Sequence, residues 1–560
     1  MPKINTSQPS MSKQNLLAQY LINQEPSSNE ESCLHFLPEH SYFKASTSVG
    51  SGKTVAAISY MLSNDQSITN FLYVAPTIKL VTQTSNGLKE ALEESNRTTR
   101  NIHLIHSEKT SGHQSTSQVA INAINNATAN TGTTIILTTA TFLNILPQIE
   151  RKQNWSVIMD ESFSPISFVK YELGSRDQDK EKSKEYFSNL FNIDNHDNGS
   201  VFIAKGQSTL VKAIANNDLK EAGSMYSGMQ PLARAVVNGA LNVELTGKRT
   251  DRYTFATWVS PDHFNAFYEC VFLSALFEQT ILYHLWSAEY KATFRTHKFF
   301  DSAINTDIHT TQGPLVSVGH VLHPDDHASK YNLQRNYKTG QRESKQGGRV
   351  IDKCVEIIQT YFTGKAALLQ INKWTGYGNS TQVNNDITVI PCMPQGLNDY
   401  QDHTAIAALA VTNPEPHILT WLKNRTKLPD HVLYQAFRIH NVYQACGRTA
   451  IRDWNNQKQV VFLVASQEDA KFLHDLFSGS KWLGQVGDIP SLKPLSKANT
   501  SMGNKKPTLQ SNLEYRVLRK EYNALTAKKS RAKKVGTELS SSDYLRLNAI
   551  KREIATLKQT

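Results

Sequence analysis

Short apolar runs alternate with amphipathic stretches along most of this 560-residue chain, and the alternation predicts its elements. A strand-like run opens at Tyr42, turns through glycines, and gives way to a helix from Lys53-Thr54 through Met61. Phe71 to Ala75 reads as a strand ending in Pro76-Thr77, followed by a helix from about Lys79 to Glu94 and a strand at Ile102 to Ile105. Thr134 to Thr141 is apolar and then hydroxyl-rich, and Trp155 to Met159 is an apolar run closing on Asp160-Glu161. Strands separated by helices of about 10 to 15 residues indicate a parallel sheet whose site lies at the strands' C-terminal edge.

Residues 164 to 265 interrupt that rhythm with a charged run, Arg176 to Glu185, and amphipathic pieces at Ser208 to Ala215 and Met229 to Leu241. A largely helical insertion is expected there. Cys270 to Ala275 resumes the sheet pattern, and a second alternating block follows. Helices are predicted at Arg349 to Phe362, Val432 to Arg448 and Gln467 to Phe477, and strands at Ala366 to Ile371, Ile387 to Ile390, Thr404 to Val411 and Val460 to Val464. Pro490 to Pro507 reads as a linker, and Leu513 to Lys534 and Ser541 to Lys558 as two helices. The expected organisation is a flexible N-terminal lead-in (1–35), a first α/β domain (36–163 and 266–299), the insertion (164–265), a connector (300–347), a second α/β domain (348–480) and a basic linker with a helical tail (481–560).

Charge sharpens this picture at one end. The chain has 60 Lys and Arg against 49 Asp and Glu, net +11, and residues 481–560 hold 17 basic and 6 acidic residues, so the tail carries the whole surplus. A concentrated basic end implies a polyanionic partner, most simply nucleic acid; a neutral body implies ordinary enzyme surfaces. The tail also offers a surface for a protein partner. No apolar stretch reaches the ~18 to 20 residues that span a bilayer, and the N-terminus lacks the apolar core of a secretory signal, so a cytoplasmic protein without membrane contact is expected. Five dispersed cysteines lack a C-x-x-C pair, which argues against a disulfide framework or structural zinc. His320, His323 and His327 stand near Asp325 and Asp326, but Pro324 and the loop context predict a solvated turn.

The candidate chemistry lies at the first turn, Thr47-Ser48-Val49-Gly50-Ser51-Gly52-Lys53-Thr54. Gly50 and Gly52 let the backbone bring bare N–H groups against phosphate oxygens, and the following helix N-terminus adds its positive end. Lys53 supplies a mobile charge to the β- and γ-phosphates, and the Thr54 hydroxyl is placed to ligate Mg2+. Asp160 at the end of a later strand is assigned to the metal and Glu161 to the attacking water.

The order of these pieces resembles the motor core of superfamily 2 helicases, the DExD/H-box group, over roughly residues 36–163, 270–278 and 348–478. Thr47 to Thr54 is similar to the family's first motif, Ala75-Pro76-Thr77 to its Pro-Thr motif, Thr138 to Thr141 to its Thr-rich motif, and Asp160-Glu161 to its acidic pair. Leu273-Ser274-Ala275 resembles the Ser-Ala-Thr coupling motif, with Leu276 in place of threonine. Gln395-Gly396-Leu397-Asn398 is like the motif lining both ATP and nucleic acid, and Gln444-Ala-Cys-Gly447-Arg448-Thr-Ala-Ile-Arg452 resembles the arginine-finger motif, its last arginine one position late. The resemblance implies two tandem recA-like parallel-sheet domains closing on ATP and Mg2+. Thr47, Gly50, Ser51, Gly52, Lys53, Thr54, Asp160 and Gly396 would hold the nucleotide, and Thr54 with Asp160 the metal. Glu161, Gln444, Arg448 and Arg452 would be catalytic, while Pro76, Thr77, Thr139 and Thr141 would contact the nucleic acid, with DNA ahead of RNA.

The expected function is an ATP-dependent helicase or translocase that moves on or unwinds nucleic acid. The alternative is a nucleic-acid-binding scaffold with a weakened ATP cycle and no unwinding, which Leu276 and the displaced Arg452 favour. A P-loop kinase leaves the second α/β block unexplained.

Overall fold

The computed structural model describes residues 41–492 and 513–557, apart from 64–65, 96–99, 110–114, 175, 195–198, 219–223, 305–307, 344–345, 378–382, 384–385, 393–399 and 535–537. Of these, residues up to 492 form one compact unit and residues from 513 on another. Among the described residues no helix is long and apolar enough to cross a membrane.

The first sheet is built from β1 (Ser41–Thr47), β2 (Asn70–Ala75), β3 (Asn101–Ile105), β4 (Thr133–Thr138) and β5 (Trp155–Asp160), joined after the insertion by β11 (Glu269–Ala275) and β12 (Thr293–Thr296). Its strand order is β12-β1-β11-β5-β2-β4-β3, and every pairing is parallel. A parallel sheet covered by helices on both faces needs apolar side chains on both. β2 meets that demand, its Phe71, Leu72, Tyr73, Val74 and Ala75 all lying fully buried. Each large side chain so buried contributes roughly 1.5–3 kcal/mol relative to exposure.

The second sheet is also all parallel, ordered β15-β14-β16-β17-β13-β18. Its strands are β13 (Val316–His320), β14 (Ala367–Gln370), β15 (Ile387–Ile390), β16 (Ala405–Ala408), β17 (Val460–Val464) and β18 (Lys481–Gln485). β13 comes from the stretch expected to connect the two blocks, and β18 lies just past position 480. Two tandem parallel-sheet blocks therefore form the body.

The insertion differs from expectation. It is not largely helical but carries a five-stranded antiparallel sheet, β6-β10-β9-β8-β7, from β6 (Ile166–Glu172), β7 (Phe191–Asp194), β8 (Ser200–Ile203), β9 (Leu241–Lys248) and β10 (Arg252–Val259). The physical reason is that its helices cover only one face: Val211 and Ile214 of the Ser208–Ala215 helix and Leu232 and Ala233 of the Gln230–Val237 helix pack against Tyr171, Val243 and Phe255 of the sheet. Amphipathic helices of eight residues cannot bury their apolar stripe against each other alone, and the β-branched and aromatic runs beside them supply the missing surface.

The second compact unit holds the helices Leu513–Lys534 and Ser541–Leu557, which meet through Leu518, Tyr522, Leu525 and Ile550.

Candidate active site

Because β1, β11, β5, β2 and β4 are adjacent and parallel, the segments leaving their C-terminal ends gather along one edge of the first sheet. The glycine loop leaves β1 there. Gly50 and Gly52 adopt φ of 71° and 82°, the left-handed region where glycine carries no Cβ penalty. Gly52 precedes the Lys53–Leu62 helix, whose first residue turns back into the loop: Lys53 Nζ donates to Ser48 O at 3.2 Å and stands 4.0 Å from Glu161 Oε1. Burial pulls the Lys53 pKa down, while Glu161 and then Asp160 oppose that fall. Thr47 and Ser51 are buried in the same loop, and Thr47 O accepts the Leu276 N–H at 3.2 Å.

Asp160 ends β5, 2% exposed, with Oδ2 accepting from Thr54 Oγ1 at 2.8 Å and from the Tyr73 hydroxyl. Burial and then Glu161 push its carboxyl up; the Tyr73 hydroxyl, Lys53 and Thr54 pull it down. The Thr54 hydroxyl and the Asp160 carboxylate are hard oxygen donors at the loop's end, and that donor chemistry fits Mg2+. Glu161 follows at φ 80°, its N–H donating to Leu273 O at 2.8 Å.

The second block brings its own half. The Asp430–Cys446 helix presents Gln444, whose Nε2 donates to Glu161 Oε2 at 3.1 Å, and Arg448 Nη2 donates to Gln444 Oε1 at 3.3 Å. Burial, with Arg452 adding to it and Glu161 opposing, lowers the Arg448 pKa to about 10. After the helix a short 3-10 turn, Ala450–Arg452, lays Arg452 along the loop: a Cβ on Gly50 would come within 2.8 Å of Arg452 Cγ. Burial also lowers the Arg452 pKa, and Glu161 and Asp160 are the charges that counter it.

Pro76 and Thr77 leave β2, and Thr139 and Thr141 lie in the helix after β4, on the same edge as the loop. Thr77 Oγ1 accepts from Leu80 N at 3.2 Å at the start of the helix after β2, and Thr138 Oγ1 caps the helix after β4 by accepting from Thr141 N at 3.3 Å, with Thr141 Oγ1 3.0 Å away. Gly396 lies outside the described residues. Leu276 takes φ 50° and packs on the apolar cluster of the second block. Sequence reasoning did not single out Tyr73, which touches Asp160, or Tyr443 and Trp454, which touch the loop. Adjacency of Tyr443 to Gln444 was the one local signal.

Residues 23–208 match the family model described as type III restriction enzyme, res subunit. No curated protein matches the chain. Similar solved structures include S. cerevisiae Dbp5 bound to RNA and ADP BeF3, at 10% identity over 80% of this chain and 87% of that one, TM-score 0.31. Another is the DEAD-box helicase Mss116 bound to ssRNA and UDP-BeF, at 10% identity over 97% of this chain and 86% of that one, TM-score 0.33. RecG bound to a three-way DNA junction is similar at 12% identity over 79% of this chain and 42% of that one, TM-score 0.31. The segment matched by the family model contains both the lysine loop and the Asp160-Glu161 pair.

Proposed function

We propose that this protein is an ATP-dependent nucleic-acid helicase or translocase that hydrolyses ATP in the cleft between its two parallel-sheet blocks. One observation carries the reading: Glu161 is held by Gln444, 283 positions away, with Lys53 on one side and Arg448 and Arg452 of the second block on the other. A carboxylate that orients water, a lysine for phosphate and arginines for developing charge are the parts that phosphoryl transfer to water requires.

In this reading the loop N–H groups and Lys53 bind the phosphates. Glu161, oriented by Gln444, positions the attacking water and takes its proton. Arg448 and Arg452 place guanidinium forks on the γ-phosphate as charge spreads over its oxygens. Thr54 and Asp160 would hold Mg2+, which would supply charge neutralisation on the phosphates. Gly396 belongs with the nucleotide-holding residues, and nucleic acid contacts Pro76, Thr77, Thr139 and Thr141. Its backbone phosphates are the main target, and DNA is favoured over RNA as the track. The basic tail adds phosphate contacts or docks a protein partner, and the cytoplasm is the expected location.

The test is ATP hydrolysis by the full chain alone and with single-stranded DNA, duplex DNA or RNA. Stimulation by one nucleic acid is expected. Glu161→Gln should keep ATP binding and lose about 100-fold or more in turnover, and Lys53→Ala should lose binding. Absence of hydrolysis under every condition would favour the scaffold reading, for which Leu276 is the specific observation: an apolar contact replaces the hydroxyl of the coupling motif.

A further inference from the structure

The glycine loop is gripped by the second block at two backbone atoms, neither of them at a charged group. The Val49 N–H donates to Tyr443 Oη at 2.9 Å, and Trp454 Nε1 donates to Gly50 O at 3.0 Å. Tyr443 is fully buried and Val49 is 3% exposed, so the first bond is shielded from water. The Tyr443 hydroxyl also lies 2.7 Å from His309 Nε2, and this second hydrogen bond fixes the direction of the phenol. Burial keeps that phenol protonated.

The placement of these two side chains along the chain matters as much as their bonds. Tyr443 immediately precedes Gln444 on the Asp430–Cys446 helix, and Trp454 stands two residues after Arg452. The two contacts therefore bracket the segment that carries Gln444, Arg448 and Arg452. Between them Gly447 lies directly on Val49, since a Cβ there would fall 2.3 Å from Val49 Cγ2. A bracket at both ends with a tight contact in the middle fixes the segment both along and across the loop.

We propose that Tyr443 and Trp454 are positioning residues, registering the finger arginines against the phosphate-binding loop through Val49 N–H and Gly50 O. This rests on the hydrolytic reading above. Neither side chain touches the reacting atoms in this account. Each acts through the arginines, so the register governs how well the guanidinium groups meet the γ-phosphate once charge develops, not how tightly ATP first binds. A displacement on the order of 1 Å at such a site lowers turnover by 10- to 100-fold.

The experiment uses the full chain and the variants Tyr443→Phe and Trp454→Phe, which keep an aromatic ring and delete the hydroxyl or the indole N–H. In each, kcat for ATP should fall about tenfold, with KM within about twofold and the unfolding midpoint unchanged. On an Arg448→Ala, Arg452→Ala background, Tyr443→Phe should have no further effect on kcat, because a positioning residue loses its role when the groups it positions are gone. Unchanged kcat in both single variants would overturn the proposal. So would additive losses on the arginine-free background, or KM and the unfolding midpoint moving together with kcat.

A second readout does not require hydrolysis. Emission of the full chain minus that of Trp454→Phe isolates the Trp454 indole, and the same difference taken in the Tyr443→Phe background should shift toward a solvent-exposed spectrum without nucleotide. No shift would overturn the register whether or not the protein hydrolyses ATP. A shift in a protein that never hydrolyses ATP would leave the register standing and remove the hydrolytic reading.

Discussion

Glu161 holds a backbone conformation that L side chains rarely adopt, φ 80°, and its N–H donates to Leu273 of the neighbouring strand β11. Such strain, of order 1–3 kcal/mol, persists where surrounding structure over-determines it. Here the Asp160–Leu273 pairing of β5 and β11 holds the preceding residue while Gln444 holds the side chain. Across the cleft the decisive residue is Gly447. Its φ is ordinary for any residue, so the cost of a side chain there is purely steric. In Gly447→Ala the added methyl would fall 2.3 Å from Val49 Cγ2 and 2.5 Å from Val49 Cβ, so either the loop or the finger segment must move. A fall in ATP turnover of about 10- to 100-fold with near-normal folding is expected, measured by steady-state kinetics beside circular dichroism.

At the scale of elements, the insertion joins the two blocks. Arg425, on the Pro416–Thr426 helix of the second block, pairs with Glu244 on β9 and with Glu289 on the Ile281–Glu289 helix. Its guanidinium also lies over Trp258 at 4.1 Å and Trp421 at 4.9 Å. Leu419, Trp421 and Leu422 of that helix belong to one apolar cluster with Trp258, Val259 and Trp286. Because the Asp430–Cys446 helix follows after a three-residue turn, this joint sits one short turn from the helix that carries Gln444. Arg425→Ala leaves two partly buried carboxylates facing each other and removes the ring contacts. A loss of roughly 2–3 kcal/mol is expected in chemical denaturation, larger than an exposed ion pair would give. Arg425→Lys should recover only part of it, since an ammonium cannot serve two carboxylates and two rings as a planar fork does.

For the whole molecule, the charge distribution sets the partner class. The surplus of basic residues lies in 481–560, including the Lys528 to Lys534 cluster on the Leu513–Lys534 helix. Lys528 is paired with Asp543, so part of that charge is already engaged within the helical pair. If the tail binds phosphates, changing Lys528, Lys529, Lys533 and Lys534 together to Gln should flatten the dependence of log affinity on log salt by about 0.7 to 0.9 for each phosphate left without a lysine. Fluorescence anisotropy with a labelled oligonucleotide from about 50 to 200 mM salt measures this slope. An unchanged slope would assign the tail to a protein partner.

Much of the fold was legible in the chain because its signals are local. Fully apolar runs such as Phe71 to Ala75 can only be strands buried on both faces, and the glycines at 50 and 52 mark a turn that other residues resist. The insertion's sheet was not legible, because short alternating runs such as Ile166–Glu172 acquire meaning only when a partner strand and two covering helices meet them. The late Arg452 was legible as a departure but not as a position, since the 3-10 turn that lays it on Gly50 depends on packing against the loop. By itself the sequence determined the alternating elements, the glycine loop, the acidic strand end and the basic tail, all of which follow from periodicity and residue chemistry within a few turns of chain. Only the tertiary structure decided that Glu161 meets Gln444, that Tyr443 and Trp454 hold the loop, and that Arg425 ties insertion to second block. Those contacts join residues more than a hundred positions apart, and their geometry is set by how the buried faces of separate elements fit, which no local pattern encodes.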